Sequence, residues 1–73
     1  MTIGERLRDT RTDRDMTQAQ VAKILKTTQT YYAEYELDKR KFPIKHLITL
    51  CNLWSVSADY ILGLPPGLDW PRK

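Results

Sequence analysis

The stretch from Glu5 to Phe42 contains neither glycine nor proline, and this absence restricts the folds that the chain can adopt. Apolar residues recur through it at intervals of three and four, the spacing that places them on one face of a helix. The alternation of apolar and polar residues that marks a half-buried strand is missing, and so are the Asn-Gly and Asp-Gly turns of hairpins. We therefore predict an all-α domain.

The size and charge of the chain set limits on its function. Its 73 residues suffice for one small domain but not for a second domain with its own core. The net charge of +3 is compatible with a polyanionic partner, although many small proteins share it. A single cysteine, Cys51, excludes a disulfide within the chain and indicates a reducing environment. No apolar run reaches the roughly 18 residues needed to span a bilayer, so we expect a cytoplasmic protein with no membrane partner.

The apolar spacing and the capping residues predict five helices. Thr17 followed by Gln20 matches a capping box, and Pro43 suits a first helical turn because the N–H that it lacks would be unpaired there. The expected helices are Ile3 to Arg14, Thr17 to Leu25 or Lys26, Thr28 or Gln29 to Leu37, a fourth from about Pro43 that includes Trp54, and a fifth capped by Ser57 that stops at Gly63. We place the folded domain at residues 1–64 and a C-terminal tail at 65–73.

The apolar faces of these helices are expected to form the core. The residues concerned are Ile3, Leu7, Val21, Ala22, Ile24, Leu25, Tyr32, Tyr35, Leu47, Ile48, Leu50, Cys51 and Trp54. The apolar stripe of the first helix ends at Thr10 and Arg11, so a cation continues it. His46 has no second metal-ligating residue at a suitable spacing, and we expect it at the surface of the fourth helix.

The second and third predicted helices are short and only two or three residues apart, which is typical of a helix-turn-helix. In that motif the second helix lies in the major groove of DNA. One side of the third helix carries short or polar side chains. Glutamine can pair with adenine, threonine can bond to either base edge, and glutamate can accept a hydrogen bond from the cytosine amino group. The predicted base-reading residues are Gln29, Thr30, Ala33 and Glu34.

Four segments in order along the chain resemble the Cro/CI-type (XRE-like) helix-turn-helix repressors of phages and bacteria. They are IGERLRDTRTDRDMTQAQVAKIL, TTQTYYAEYE, KRKFP and VSADYILG, and the likeness extends from Ile3 to Leu64. The resemblance implies the five-helix lambda-repressor-like fold. It also implies a transcriptional regulator, in most cases a repressor, that binds a pseudo-palindromic double-stranded DNA operator as a homodimer, with the fourth and fifth helices and the tail as the dimer surface.

Phosphate contacts are predicted around the recognition helix. The resemblance assigns one to Gln18, and the consecutive cations after the helix lie where a phosphate strand should run. The full predicted set is Thr17, Gln18, Thr28, Tyr31, Lys39, Arg40, Lys41 and Arg11. The family also pairs an arginine of the first helix with the glutamate that ends the recognition helix, which places Arg11 opposite Glu36. Lys26 and Asp38 stand where the family usually has glycine.

The sequence is also compatible with other functions. The chain shows no Gly-rich phosphate loop and no nucleophile with an evident base, so we predict no enzymatic activity, no metal, no cofactor and no small-molecule ligand. The same fold can instead serve as a protein-interaction module, such as an antitoxin that binds a toxin. The chain is alternatively a fragment of a longer repressor. Trp70 in the tail is a candidate for a dimer contact.

Overall fold

The computed structural model describes residues 1–65, which form five α-helices and contain no strand. The helices are α1 (Ile3–Asp13), α2 (Gln18–Leu25), α3 (Gln29–Glu36), α4 (Ile44–Trp54) and α5 (Ala58–Leu62). The all-α prediction is confirmed, and each helix boundary that was predicted agrees with the observed one to within one residue. Trp70 and the rest of the predicted tail after Pro65 lie outside the described residues.

Four of the helices begin at a hydroxyl side chain that accepts a hydrogen bond from the backbone N–H three residues later. The capping residues are Thr2, Thr17, Thr28 and Ser57. Thr17 and Gln20 form the predicted capping box, and Thr2 forms a second one with Glu5. Because each cap satisfies backbone groups that the helix itself leaves unpaired, these short local signals determine where the helices start.

The core lies between all five helices. Its buried apolar side chains are Leu7, Val21, Ala22, Leu25, Tyr32, Tyr35, Leu47, Leu50, Trp54 and Ile61. Cys51 is partly buried against this cluster. At its edge, Arg14 NH2 donates to the carbonyl of Trp54 at 2.7 Å, and Trp54 Nε1 donates to Met16 Sδ at 3.4 Å. The connection between α1 and α2 is thereby attached to the end of α4.

Three residues that were expected in the core lie at the surface. Ile24 is 40% exposed and Ile48 is 57% exposed. Ile24 directly precedes the buried Leu25, and Ile48 directly follows the buried Leu47. One step along a helix rotates the side chain by about 100°, and these short helices bury only a narrow arc. Ile3 is also more exposed than expected, and it lines a surface cleft together with Phe42 and Ile44.

The prediction for His46 was wrong, because its side chain is buried. Its ring packs against two aromatic rings, with its centroid 6.1 Å from that of Tyr35 and 6.1 Å from that of Phe42. Burial, and next the charge of Lys45, lower the pKa of His46 below its usual 6.5. The neutral imidazole is therefore part of the packing between α3, α4 and the loop that joins them.

None of the helices within residues 1–65 is both long enough and apolar enough to cross a membrane.

Candidate nucleic-acid interface

The turn between α2 and α3 contains a left-handed residue that is not glycine. Lys26 has φ 58° and ψ 41°, and the N–H of Thr27 reaches back to the carbonyl of Ala22 at 3.0 Å. This is the Schellman arrangement, in which glycine is usual because a side chain costs about 1–2 kcal/mol in that conformation. Thr28 then caps α3. The two helices thus form a helix-turn-helix with a strained residue at the turn.

The inner face of α3 is held by aromatic packing. Tyr32 is fully buried, and its ring meets that of Tyr35 edge-on at 6.4 Å. Tyr35 in turn packs against Phe42 at 5.2 Å. Since this side of the helix is fixed in the core, the opposite side must face outward.

The outer face of α3 carries all four predicted base-reading residues. Gln29 and Thr30 are exposed, and Ala33 and Glu34 are partly exposed. At 100° per residue the four positions span about 140° of the helix surface. The structure therefore brings these side chains together on one accessible strip.

Arg11 and Glu36 form an ion pair that ties α1 to the end of α3. Arg11 Nε lies 2.7 Å from Glu36 Oε2, and NH2 lies 3.0 Å from Oε1. The remaining nitrogen, NH1, donates to the carbonyl of Met16 at 2.9 Å. The side chains are only 12% and 3% exposed, respectively. This geometry favours the ion-pair role of Arg11 over a phosphate contact.

Gln18 joins the same cluster from α2. Its Nε2 donates to Glu36 Oε1 at 3.0 Å, so Glu36 is shared by α1, α2 and α3. Burial alone would raise the pKa of Glu36, but the hydrogen bonds from Arg11 and Gln18 outweigh it and hold the pKa below 4.5. Glu36 is consequently a charged group inside the protein. The second N–H of Gln18 stays available for a phosphate.

The hydroxyl of Tyr32 lies buried within residues 1–65 without a hydrogen-bond partner. Burial, and next the nearby carboxylate of Glu36, raise the pKa of this phenol well above its usual 10. The hydroxyl therefore stays protonated, and Tyr32 acts mainly through its ring.

A second contact between α1 and the end of α3, the hydrogen bond between Gly4 and Asp38, was not predicted from the sequence. The backbone N–H of Gly4 in the first turn of α1 donates to Asp38 Oδ1 at 2.9 Å. A Cβ at Gly4 would lie 2.3 Å from the carbonyl oxygen of Glu36, so the two backbones touch. The only sequence signal for this contact was the glycine itself. Glycine lowers the stability of a helix, so its presence in the first turn indicates that another part of the chain approaches the backbone closely there.

The cations that follow α3 are exposed, but they differ in their contacts. Lys39 and Lys41 make no side-chain hydrogen bond or ion pair within residues 1–65, whereas Arg40 Nε is paired with Glu34 Oε1. The guanidinium of Arg40 also lies 4.2 Å from the ring centroid of Tyr31, which is itself 43% exposed. Two predicted phosphate contacts, Arg40 and Tyr31, are thus engaged with each other in the free protein.

Thr17 and Thr28 complete the predicted set at the starts of α2 and α3. Both are exposed, and both hydroxyl oxygens accept a backbone N–H as helix caps. Each hydroxyl can still donate its own proton to a phosphate oxygen. Within residues 1–65 no three His, Cys, Asp or Glu side chains are grouped so that they could hold a metal ion.

Residues 4–65 match the model of a protein family described as a helix-turn-helix domain. The chain belongs to this helix-turn-helix family. The match includes all five helices apart from Ile3, the first residue of α1, and it agrees with the resemblance to Cro/CI-type repressors that the sequence motifs carry.

Three relatives from Bacillus subtilis (strain 168) are named HTH-type transcriptional regulators, not enzymes. YobD, itself uncharacterized, is 38% identical over 65 residues, which cover 89% of this chain and 58% of that protein. YonR, derived from the SPbeta prophage, is 37% identical over 60 residues, which cover 82% of this chain and 56% of YonR. ImmR is 36% identical over 63 residues, covering 86% and 50%. This helix-turn-helix chain therefore spans about half the length of the curated relatives that it matches.

Two solved structures share its fold. The P22 c2 repressor, crystallised with a synthetic operator, superposes with a TM-score of 0.76 at 24% identity, covering 85% of this chain and 94% of that one. A transcriptional regulator from Listeria innocua gives a TM-score of 0.82 at 22% identity, covering 97% and 65%. These likenesses confirm the predicted five-helix repressor-like fold.

Proposed function

We propose that this chain is the DNA-binding domain of a cytoplasmic transcriptional repressor, and that α3 enters the major groove of double-stranded DNA. The observation that carries the proposal is the two-sided character of α3. Its inner face is buried through Tyr32 and Tyr35, while Gln29 and Thr30 are exposed on the outer face. A groove-reading helix needs both properties, because base contacts require rigid placement as well as free polar edges.

The contacts divide into base-reading and phosphate-binding groups. Gln29, Thr30, Ala33 and Glu34 read the base edges, and Gln29 is suited to pair with adenine. Gln18, Thr17, Thr28, Lys39 and Lys41 bind phosphates and fix the position of the helix on the duplex. Because the phosphate contacts are the same for every sequence, discrimination between operators depends on the base-reading strip.

A homodimer would supply the remaining affinity. One helix-turn-helix reads only a few base pairs, so two copies on a pseudo-palindrome with half-sites about 10–10.5 bp apart would be needed. The apolar surface of α4 and α5 supports this arrangement, since Ile44 is 74% exposed, Ile48 57% and Leu62 39%. Exposed side chains of this size on neighbouring helices favour a protein contact there.

Selection of binding sites from random duplexes tests the proposal. We expect enrichment of one pseudo-palindromic sequence and a mass of two chains per duplex in analytical ultracentrifugation. Failure to enrich any sequence, combined with a stoichiometric complex between the chain and a protein partner, would instead support the interaction-module alternative.

A further inference from the structure

An exposed cluster of Tyr31, Glu34 and Arg40 connects the outer face of α3 with the loop that follows it. Arg40 Nε is paired with Glu34 Oε1, and the guanidinium carbon lies 4.2 Å from the centre of the Tyr31 ring. Tyr31 and Glu34 are three positions apart, so their side chains are neighbours on the helix surface. A single guanidinium therefore contacts both of them from above the helix.

The backbone after α3 brings Arg40 to this position. Asp38 is left-handed with φ 60°, its N–H donates to the carbonyl of Tyr35 at 3.1 Å, and the N–H of Lys39 donates to the carbonyl of Glu34 at 2.9 Å. These two bonds form a Schellman turn that reverses the chain at the end of the helix. The next residue, Arg40, is thereby directed back along the outer face.

A contribution to the stability of the fold does not explain this cluster. The side chains of Arg40 and Glu34 are 46% and 32% exposed, and exposed pairs of this kind contribute little to folding. The location has a clearer consequence. Glu34 is the only acidic residue on the base-reading strip, and phosphates would repel an unpaired carboxylate there.

The remaining hydrogen-bonding capacity of the pair matches a base contact. Only Oε1 of Glu34 is engaged with Arg40, and Oε2 accepts no hydrogen bond from residues 1–65. A carboxylate oxygen can accept a hydrogen bond from N4 of cytosine in the major groove. A carboxylate that is held at one oxygen has fewer orientations to lose when it binds, which improves discrimination.

We propose that Arg40 is a positioning residue for base recognition, which holds and neutralises Glu34 so that its second oxygen reads a cytosine. Tyr31 supports the guanidinium through its ring. The inference rests on the proposed function, and it separates Arg40 from the phosphate-binding lysines on either side of it. Arg40 then affects which base is preferred, whereas Lys39 affects affinity for every duplex.

The test compares binding of the wild type, Glu34→Gln, Arg40→Ala, Arg40→Lys and Lys39→Ala to duplexes that carry each base pair at every position of the selected site. Glu34→Gln identifies the position at which cytosine is preferred. We expect the wild-type preference there to be about 5- to 150-fold, the range for one good base contact. Arg40→Ala should reduce it at least fivefold and leave preferences elsewhere within twofold.

The control variants separate orientation from charge. Lys39→Ala should weaken binding to all duplexes alike and keep the cytosine preference. Arg40→Lys should keep the overall affinity but not the preference, because an ammonium lacks the planar group that stacks on Tyr31 while donating to Glu34. Full recovery of the preference by lysine would overturn the proposal, and so would a loss of affinity in Arg40→Ala that leaves the cytosine preference unchanged.

A measurement without DNA distinguishes this inference from the proposed function. In the free protein, the NMR signal of the Arg40 Nε–H should shift and exchange faster in Glu34→Gln. An unchanged signal would overturn the positioning role, as would the absence of any altered base preference in Glu34→Gln. If the wild type bound no duplex at all, the proposed function would fail and Arg40 would lose its role in recognition, even with the Nε–H signal as expected.

Discussion

The backbone N–H of Gly4 donates to the carboxylate of Asp38, at a distance of 2.9 Å. This bond joins the first turn of α1 to the turn that ends α3. The ion pair between Arg11 and Glu36 joins the last turn of α1 to the end of α3. Helix α3 is therefore attached to α1 at two points, and we expect its orientation to depend on both.

Replacement of Gly4 by alanine should strongly destabilise the fold. The added Cβ would lie 2.3 Å from the carbonyl oxygen of Glu36 and 2.7 Å from that of Tyr35, and backbone atoms cannot move away as a side chain can. We expect a loss of about 3 kcal/mol or more in the free energy of unfolding, measured by urea denaturation. The exposed α1 position Arg8 provides the control, since Arg8→Ala should change it by less than about 0.5 kcal/mol.

Substitutions at Asp38 should separate the effect of its backbone conformation from that of its carboxylate. Asn keeps a side-chain oxygen for Gly4 and tolerates φ 60°, so Asp38→Asn should be nearly neutral. Gly removes the strain of the left-handed backbone but also removes the oxygen that accepts from Gly4. Ala removes that oxygen as well and keeps the strain. We expect the free energy of unfolding to decrease in the order Asn, Gly, Ala, with the Ala variant about 2 kcal/mol below the wild type. Equal values for Gly and Ala would show that the left-handed backbone costs nothing here.

Breaking the ion pair between Arg11 and Glu36 should cost more than removing it. Arg11→Met leaves a carboxylate that is 3% exposed with only Gln18 to bond to it, so we expect a loss of about 3–5 kcal/mol. The double variant Arg11→Met/Glu36→Leu removes both charges and should recover most of that loss. Chemical denaturation of the four proteins in this cycle gives the coupling energy. Additive losses would mean that the charges do not depend on each other.

Acidification should reduce stability in two separate pH ranges. The pKa of His46 lies below 6.5 in the folded protein, so the unfolded chain binds more protons just below pH 6.5 and stability falls as the pH drops through that range. The pKa of Glu36 lies below 4.5, so a further loss begins below pH 4.5. Thermal denaturation against pH should show that His46→Gln removes the upper dependence alone. Persistence of the upper dependence in that variant would assign it to another group.

The residues proposed to read bases and those proposed to bind phosphates should respond differently to substitution. Gln29→Ala should cost about 1–3 kcal/mol on the selected site and relax the preference at one position, whereas Lys39→Ala should weaken all sequences alike. If each subunit of a dimer neutralises about three phosphates, log affinity should fall with log salt at a slope of about −5. Fluorescence anisotropy at several salt concentrations measures both effects. A slope near zero would contradict the electrostatic part of the proposal.

The starts and ends of the helices were predictable because their causes are local. Thr17, Thr28 and Ser57 cap helices with hydrogen bonds that span three residues, and Gly63 ends α5 in the left-handed conformation. The buried face of α3 was also predictable, since Tyr32 and Tyr35 are separated by one helical turn. Such signals need no knowledge of the other helices.

The burial of His46 and the exposure of Ile48 could not be predicted in the same way. Both residues lie on α4, and the periodic pattern favoured the isoleucine for the core. The choice depended on which elements pack against the first turn of α4, and Tyr35 and Phe42 provide an aromatic site there for the imidazole. Gly4 was overlooked for a related reason, because its neighbour is the backbone of a distant helix.

The three carboxylates near the end of α3 separate what the sequence determines from what the tertiary structure determines. The sequence by itself determined that Glu34 lies on the outer face and Glu36 on the inner face, because helical periodicity places them about 200° apart. The resemblance to the repressor family already implied Arg11 as a partner of Glu36, whereas only the tertiary structure decided the others: Arg40 for Glu34, Gln18 as a second partner of Glu36, and the N–H of Gly4 for Asp38. Most of these partners come from other elements of the chain, and contacts between elements depend on how the helices pack rather than on any local pattern.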